Sequence, residues 1–233
     1  LLNDIKDFAE KSFFTRGLEI GAGTGQATDL FIKVINDLDI VEVGDKQVDY
    51  LMEKYKSENV NTYKAYFEDF KSNKKYDLIF SATAFHWVDA TVGYPKVWDM
   101  LNDSGVLAVF WHMSSVTLHD TGIFVGLNEI KKKYLPEESL GFDKEGIEGV
   151  RQKRISQIQS GNYFGIPVIK EYRWIDTYDA DRYSLLLESY SSTQTLDEEH
   201  KKLYLSEVRD YINSNGGVVE MPQHVMLYLV KKE

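Results

Sequence analysis

The sequence predicts an α/β domain: a doubly wound, mostly parallel sheet with helices on both faces. Three observations carry this. Short apolar runs alternate with amphipathic helical segments along most of the chain. The first of these runs, within residues 17–28 (GLEIGAGTGQAT), breaks into three alternating glycines where a strand would pass into a helix. The last element is a Gly216-Gly217 turn followed by a long apolar closing strand.

Taken in order, Leu1, Leu2, Ile5 and Phe8 fall at helical spacing and predict an amphipathic first helix. The chain opens inside that pattern without a methionine, so we expect residues before it. Leu18 and Ile20 alternate around Glu19 as in a buried strand, and Gly21, Gly23 and Gly25 strip the following turn of side chains. From Gln26 the apolar positions Ala27, Leu30, Phe31 and Val34 predict a helix, whose free N–H groups would favour an anion or carboxylate at the turn. The spacing is G-x-G-x-G. A dinucleotide fingerprint wants its third glycine where this chain has Gln26, which argues against NAD.

Residues 39–44 predict a second strand, ending in Glu42 about twenty residues past the first glycine. In a doubly wound sheet that position lies beside the glycine loop, where a carboxylate can accept both hydroxyls of a ribose; Asp45 is the rival for the role. A helix over 48–56 and a strand over 60–66 lead into Phe67-Glu68-Asp69-Phe70. Residues 76–80 are a strongly apolar strand running into SATAFHWVD (81–89). Residues just past such a strand line the ligand crevice, so Ser81, Ala82, His86 and Trp87 are candidate contacts. A helix near 97–101, a turn at 102–105 and a strand over 106–110 deliver Trp111 and His112 to the same edge.

Strand rhythm is lost over 113–167, apart from a helical piece near 125–134. We expect there an inserted cap between strands five and six that shapes a substrate pocket, with Tyr163 and Phe164 as wall residues. A strand over 168–178, helices over 180–189 and 198–213 and a strand over 218–230 complete the chain. Between the helices, Tyr190-Ser191-Ser192 offers hydroxyls suited to capping or to a substrate.

Composition narrows the function. With 233 residues and 43% hydrophobic content the chain can bury one substantial core, and no linker divides it, so we expect a single domain over 1–233. A net charge of −10 argues against a nucleic-acid partner held through phosphates. The absence of cysteine rules out disulfides and thiolate metal sites and fits a reducing cytoplasm. Five scattered histidines suggest no metal site, and no apolar run is long enough for a membrane span. We expect a monomer or homodimer acting on a small molecule.

LEIGAGTGQAT resembles motif I of the class I S-adenosylmethionine-dependent methyltransferases, and the resemblance extends over most of the chain. It implies a Rossmann-like seven-stranded sheet whose last strand is antiparallel, with S-adenosylmethionine as the cofactor. The loop Gly21, Ala22, Gly23, Thr24, Gly25 and Gln26 would wrap the methionine end, and Glu19 would help hold the amino group. VEVGDKQVDYL (41–51) is similar to the family's strand-two segment, with Val43 standing where proline is common; this favours Glu42 for the ribose. Phe67 would contact the adenine, and Glu68 or Asp69 would accept from its exocyclic amine. The Phe85-His86-Trp87 cluster resembles the subgroup that includes trans-aconitate methyltransferase-like and other small-molecule enzymes. Methyl transfer from a sulfonium chiefly needs alignment and exclusion of water, which Phe85, Trp87 and Trp111 would serve. Where the acceptor must lose a proton, His86 is the first candidate base and His112 the second; a carboxylate acceptor would need none, and His86 would only orient it.

Overall fold

The computed structural model describes residues 1–113, 122–135 and 146–233. Elements follow in the order α1 (Leu2–Ala9), β1 (Phe14–Ile20), α2 (Thr28–Phe31), β2 (Ile35–Glu42), α3 (Asp45–Lys54), β3 (Val60–Lys64), β4 (Tyr76–Ala82), a 3-10 turn (Phe85–Trp87), α4 (Ala90–Met100) and β5 (Leu101–His112). There follow α5 (Ile123–Tyr134), α6 (Gly146–Gln159), β6 (Val168–Asp179), α7 (Ala180–Glu188), α8 (Ser191–Gln194), α9 (Glu198–Ser214) and β7 (Val218–Lys231). The sheet has seven strands in the order β3-β2-β1-β4-β5-β7-β6. From β3 to β5 every pair is parallel, and β7 runs antiparallel to β5, as the sequence led us to expect.

The order reverses at β1, which pairs with β2 on one side and β4 on the other. That reversal is where an open parallel sheet leaves a crevice beyond its carboxyl ends. The central strands read as unbroken apolar runs because both faces are covered: Leu18, Leu38, Ile40, Leu78, Ile79, Phe80, Leu107 and Ala108 are all fully buried. Phe31 stacks on Phe80 at 4.0 Å between ring centroids and fixes the short α2 against the sheet.

Several elements depart from the expected boundaries, α4 by beginning at Ala90 and β2 by beginning at Ile35, and three further departures have a local cause. The helix expected from Gln26 is a single turn, α2, because the chain must return by Ile35 to pair with Phe14. A four-residue helix has little macrodipole, so the helix-terminus argument for an anion at the glycine turn does not hold. The turn expected at 102–105 lies inside β5 as a bulge. Pairing jumps from Tyr76↔Leu101 to Leu78↔Val106, Ser104 takes φ 61°, and Lys232 N–H donates to the Gly105 carbonyl. The third departure is α6, which the apolar pattern did not reveal. At 100° per residue, Arg151 and Arg154 fall on the same face as Ile147 and the buried Ile158, and this masks the stripe.

The chain divides into two compact units. The first comprises 1–112, 151–171 and 225–233, and contains β1 to β5. The second comprises 113–150 and 172–224. Its core is formed where α5, α7 and α9 bury Leu127, Ile130, Tyr183, Leu187, Tyr204, Val208 and Ile212. Asp179 caps α7 by accepting from Arg182 N–H at 2.8 Å, and Asp197 caps α9 by accepting from His200 N–H at 2.9 Å. The continuous cap expected over 113–167 is thus divided, its last residues belonging to the first unit. Part of it (114–121 and 136–145) lies outside the described residues, as does the Ser191 side chain. Among the described residues no helix is long and apolar enough to cross a membrane.

Candidate active site

All of the site described here belongs to the first unit. At the end of β1 the chain turns on three left-handed glycines, Gly21 (φ 71°), Gly23 (φ 58°) and Gly25 (φ 83°). Each has its own reason to lack a side chain. A Cβ at Gly21 would stand 2.4 Å from that of Ala84, and one at Gly25 would stand 2.5 Å from the Tyr55 hydroxyl. At Gly23 nothing lies within 4 Å, so the loop backbone is open to close approach by a ligand.

The loop is held from two sides. Tyr55 Oη lies 2.7 Å from Asp29 Oδ1 and 2.9 Å from the Gly25 carbonyl, its one hydrogen shared between these two acceptors, while Lys54 Nζ donates to Asp29 Oδ2 at 2.7 Å. From the sheet, Glu42 at the end of β2 accepts from Gly23 N–H through Oε2 at 2.9 Å. Its Oε1 accepts from Val43 N–H at 2.8 Å and Gly44 N–H at 3.0 Å. A carboxylate has about four lone-pair sites, so Glu42 retains capacity for a hydroxyl donor while it organises the loop. Asp45 is instead an exposed residue paired with Lys64.

These groups enclose a cavity of about 550 Å³. One wall is the glycine turn with Gly21, Ala22, Gly23 and Gln26; Glu42 and Val43 stand beside it; Ala65, Tyr66, Phe67 and Glu68 form the facing wall. Ala82, Thr83, Ala84, Trp87 and Val88 close the end nearest β4. Phe67 is buried and packs near Phe85, with Lys96 Nζ 5.2 Å from its ring centroid. Glu68 Oε1 accepts from Asp89 N–H at 2.9 Å, which ties that wall to the start of α4. Thr83 adopts φ 54°, a left-handed conformation unusual for threonine and located at the cavity edge.

Several candidates from the sequence do not line this cavity. Glu19 lies fully buried beneath the turn, where it accepts from Thr28 Oγ1 at 2.6 Å and its Oε1 has no partner. Desolvation pushes its carboxyl up to about 7, against the Thr28 hydrogen bond that favours the charged form; Glu42 and Asp29 raise it further. Ser81 is also buried, and its hydroxyl donates to the Ile20 carbonyl at 2.7 Å, joining β4 to β1 rather than facing a ligand. Thr24, Gly25, Asp69, His86 and His112 lie off the lining as well. Sequence reading singled out no role for Tyr66, Ala65, Thr83, Ala84 or Val88. Thr83 takes its left-handed φ without any signature in the sequence, whereas Ala84 meets the glycine turn through its Cβ.

His86, one residue from the lining Trp87, has a defined partner. Trp111 Nε1 donates to His86 Nδ1 at 3.2 Å. An indole only donates, so Nδ1 accepts and the neutral ring carries its proton on Nε2. In this arrangement His86 offers a hydrogen-bond donor, not the free base its place in the sequence had suggested. Partial desolvation, and then the Arg154 guanidinium, hold its pKa below the ordinary value. His112 is exposed at the last position of β5, its N–H 3.4 Å from Thr83 Oγ1. Among the described residues no three potential ligands cluster to hold a metal ion.

Comparison with known proteins agrees with this geometry. A family model described as a methyltransferase domain matches residues 18–109, from β1 to β5. The chain is similar to malonyl-acyl-carrier-protein O-methyltransferase 1 of Ilyobacter polytropus, 30% identical over 95 residues. That match spans 39% of this chain and about a third (35%) of the relative's length. Among solved structures, the YcgJ protein of Bacillus subtilis superposes with a TM-score of 0.57 at 16% identity, covering 100% of this chain and 98% of that one. The N-methyltransferase NodS of Bradyrhizobium japonicum, in complex with S-adenosyl-L-homocysteine, gives 0.52 at 11% identity, covering 99% and 84%. At these identities the two structures speak for the fold.

The donor set suits an adenosyl sulfonium cofactor: an open glycine backbone at Gly23, a carboxylate beside it and an aromatic wall opposite. Over residues 18–109, from β1 through β5, the chain is thus similar to a methyltransferase domain, and the cavity there suits S-adenosylmethionine.

Proposed function

We propose that this chain transfers a methyl group from S-adenosylmethionine to a small-molecule acceptor by direct displacement. The observation that carries the reading is Glu42, at the carboxyl end of β2, bonded to Gly23 N–H across the mouth of the cavity. In this reading Glu42 binds the ribose hydroxyls, Phe67 and Tyr66 bracket the adenine, and Glu68 accepts from its amine. The turn from Gly21 to Gln26 takes the amino-acid end. Glu19 acts from below, by fixing Thr28 and so the path of the turn.

When bound, the cofactor supplies an already electrophilic methyl group, so alignment and exclusion of water fall to the protein. Trp87, exposed on the cavity edge, offers an aromatic face beside a cationic sulfur. His86, with Nδ1 accepting from Trp111, carries an N–H on Nε2 that would donate to the acceptor. Because the match to the curated relative spans only about a third of that protein, the acceptor is not carried over from it.

The test is incubation with tritium-labelled methyl donor and a panel of small hydroxyl, amine and carboxylate metabolites. We expect label in the small-molecule fraction with equal release of S-adenosyl-L-homocysteine. Tight cofactor binding with no label in any acceptor would instead make the chain a binding module.

A further inference from the structure

Glu68, the acid on the wall that faces the glycine turn, is gripped by one helix at both of its ends. Asp89, the N-cap of α4, donates its N–H to Glu68 Oε1 at 2.9 Å. Two turns further along the same helix, Lys96 Nζ donates to the Glu68 main-chain carbonyl, also at 2.9 Å. Asp89 is itself fixed, since its carboxylate accepts from Thr91 N–H at 2.8 Å and from Thr91 Oγ1 at 2.7 Å. Behind the grip, Phe67, Phe85 and Tyr94 pack in series with ring centroids 6.3 and 5.0 Å apart. A Cβ added at Gly93 would stand 2.6 Å from Val88 Cγ1, so α4 cannot shift toward the 3-10 turn without repacking. All of these groups belong to the first unit.

Lys96, to which the sequence reading gave no role, is half-buried. Among the described residues it makes no ion pair; its ammonium is taken up by the Glu68 carbonyl and lies 5.2 Å from the centroid of the Phe67 ring. One cation thus touches both residues assigned to the adenine. Desolvation lowers its pKa, with Asp69 and Glu68 opposing that shift and Lys71 adding to it. On the Glu68 side, Oε1 is engaged by α4, which leaves Oε2 to accept from a ligand. A carboxylate has no hydrogen to give, so it suits the 6-amino group of adenine and repels the 6-oxygen of hypoxanthine. That discrimination is only as sharp as the placement of the carboxylate, and placement depends on the residues that support it.

We infer that Lys96 is a positioning residue for base recognition: by holding the Glu68 carbonyl and the Phe67 ring it fixes the Glu68 carboxylate at the adenine edge, and so sets the preference for a 6-amino over a 6-oxo purine in the cofactor. The inference rests on the methyltransferase reading above. Lys96 does not line the cavity and acts through Glu68 and Phe67.

Calorimetry with S-adenosyl-L-homocysteine and its 6-oxo analogue, S-inosyl-L-homocysteine, tests it. The parent protein should bind the amino form about tenfold tighter or more, the worth of one hydrogen bond to a charged acceptor. Lys96→Met keeps the apolar stem and removes the donor. It should cut that preference by about threefold or more, through weaker binding of the amino form, while Lys96→Arg keeps most of it. In Glu68→Gln, whose amide can present a donor or an acceptor, the preference should disappear, and adding Lys96→Met should change it no further. Melting temperatures separate loss of fold from loss of selectivity. Should the methionine variant fail to fold, Lys96→Gln, which keeps a neutral donor, should give an intermediate preference. A Lys96→Met or Lys96→Gln protein that weakens both ligands equally, or a parent protein that binds the two alike, would overturn the inference. A parent protein that binds neither would contradict the methyltransferase reading instead.

Discussion

Two carboxylates show how much a single residue decides here. Glu42 is the sole acceptor shown for three backbone N–H groups, including that of Gly23, and stands in the cavity. Glu42→Ala should therefore weaken S-adenosyl-L-homocysteine binding by roughly 1–3 kcal/mol and also lower the melting temperature, because it leaves those N–H groups without an acceptor. Asp45→Asn, which touches only the exposed pair with Lys64, should change neither. Glu19 behaves in the opposite sense. Its folded pKa, about 7, is above the ordinary value of 4.5, so between these two values the native state holds the extra proton. Stability should fall as pH rises across that window and stay at the lower level above it. Glu19→Gln should remove this slope and stabilise the protein at neutral pH, which urea titrations at several pH values would measure. The place of Glu42 beside the glycine turn was legible in the sequence because sheet topology brings a strand end at that distance to the turn. The placement of Ser81 was not, since a hydroxyl past an apolar strand can serve the neighbouring strand as well as a ligand, and here it bonds the Ile20 carbonyl.

Among the elements, the glycine turn separates stability from binding. Gly21→Ala meets both a left-handed φ and the Ala84 Cβ, so it should destabilise the fold by more than the ~1–2 kcal/mol that the backbone strain alone costs. Gly23→Ala meets the same backbone strain but open space, so its larger effect should fall on cofactor affinity, as a methyl enters the cavity wall. Melting curves paired with calorimetry would distinguish the two, and equal loss of affinity per kcal/mol of destabilisation would refute this division of roles. The buried strands could be read from their apolar runs because both faces are covered. The length of α2 could not, since Val34 and Ile35 are apolar in either a helix or a strand, and only the pairing of Ile35 with Phe14 decides between them. For α6 the obstacle was Arg154 itself. A cation on the same face as the buried Ile158 disrupts the pattern that would announce the helix.

For the whole molecule, the alternation of strands and helices was enough to predict the sheet class, and the family resemblance implied the antiparallel last strand. Division into two units was not visible, because residues 151–171 and 225–233 return to the first unit from distant parts of the chain, and no composition shift marks the crossings. The same topology places the glycine turn, Glu42 and the wall from Ala65 to Glu68 at neighbouring strand ends around one crevice, and so makes a sharp distinction between cofactors. Gln26 stands where a dinucleotide site would need a glycine, whereas an adenosyl cofactor with an amino-acid end suits the turn as it is. The most direct measurement is calorimetric titration of the purified protein with S-adenosyl-L-homocysteine and, separately, with NAD. We expect saturable binding of the former at one site per chain and none of the latter; binding of NAD, with neither S-adenosyl-L-homocysteine nor S-adenosylmethionine bound at millimolar concentration, would contradict the account.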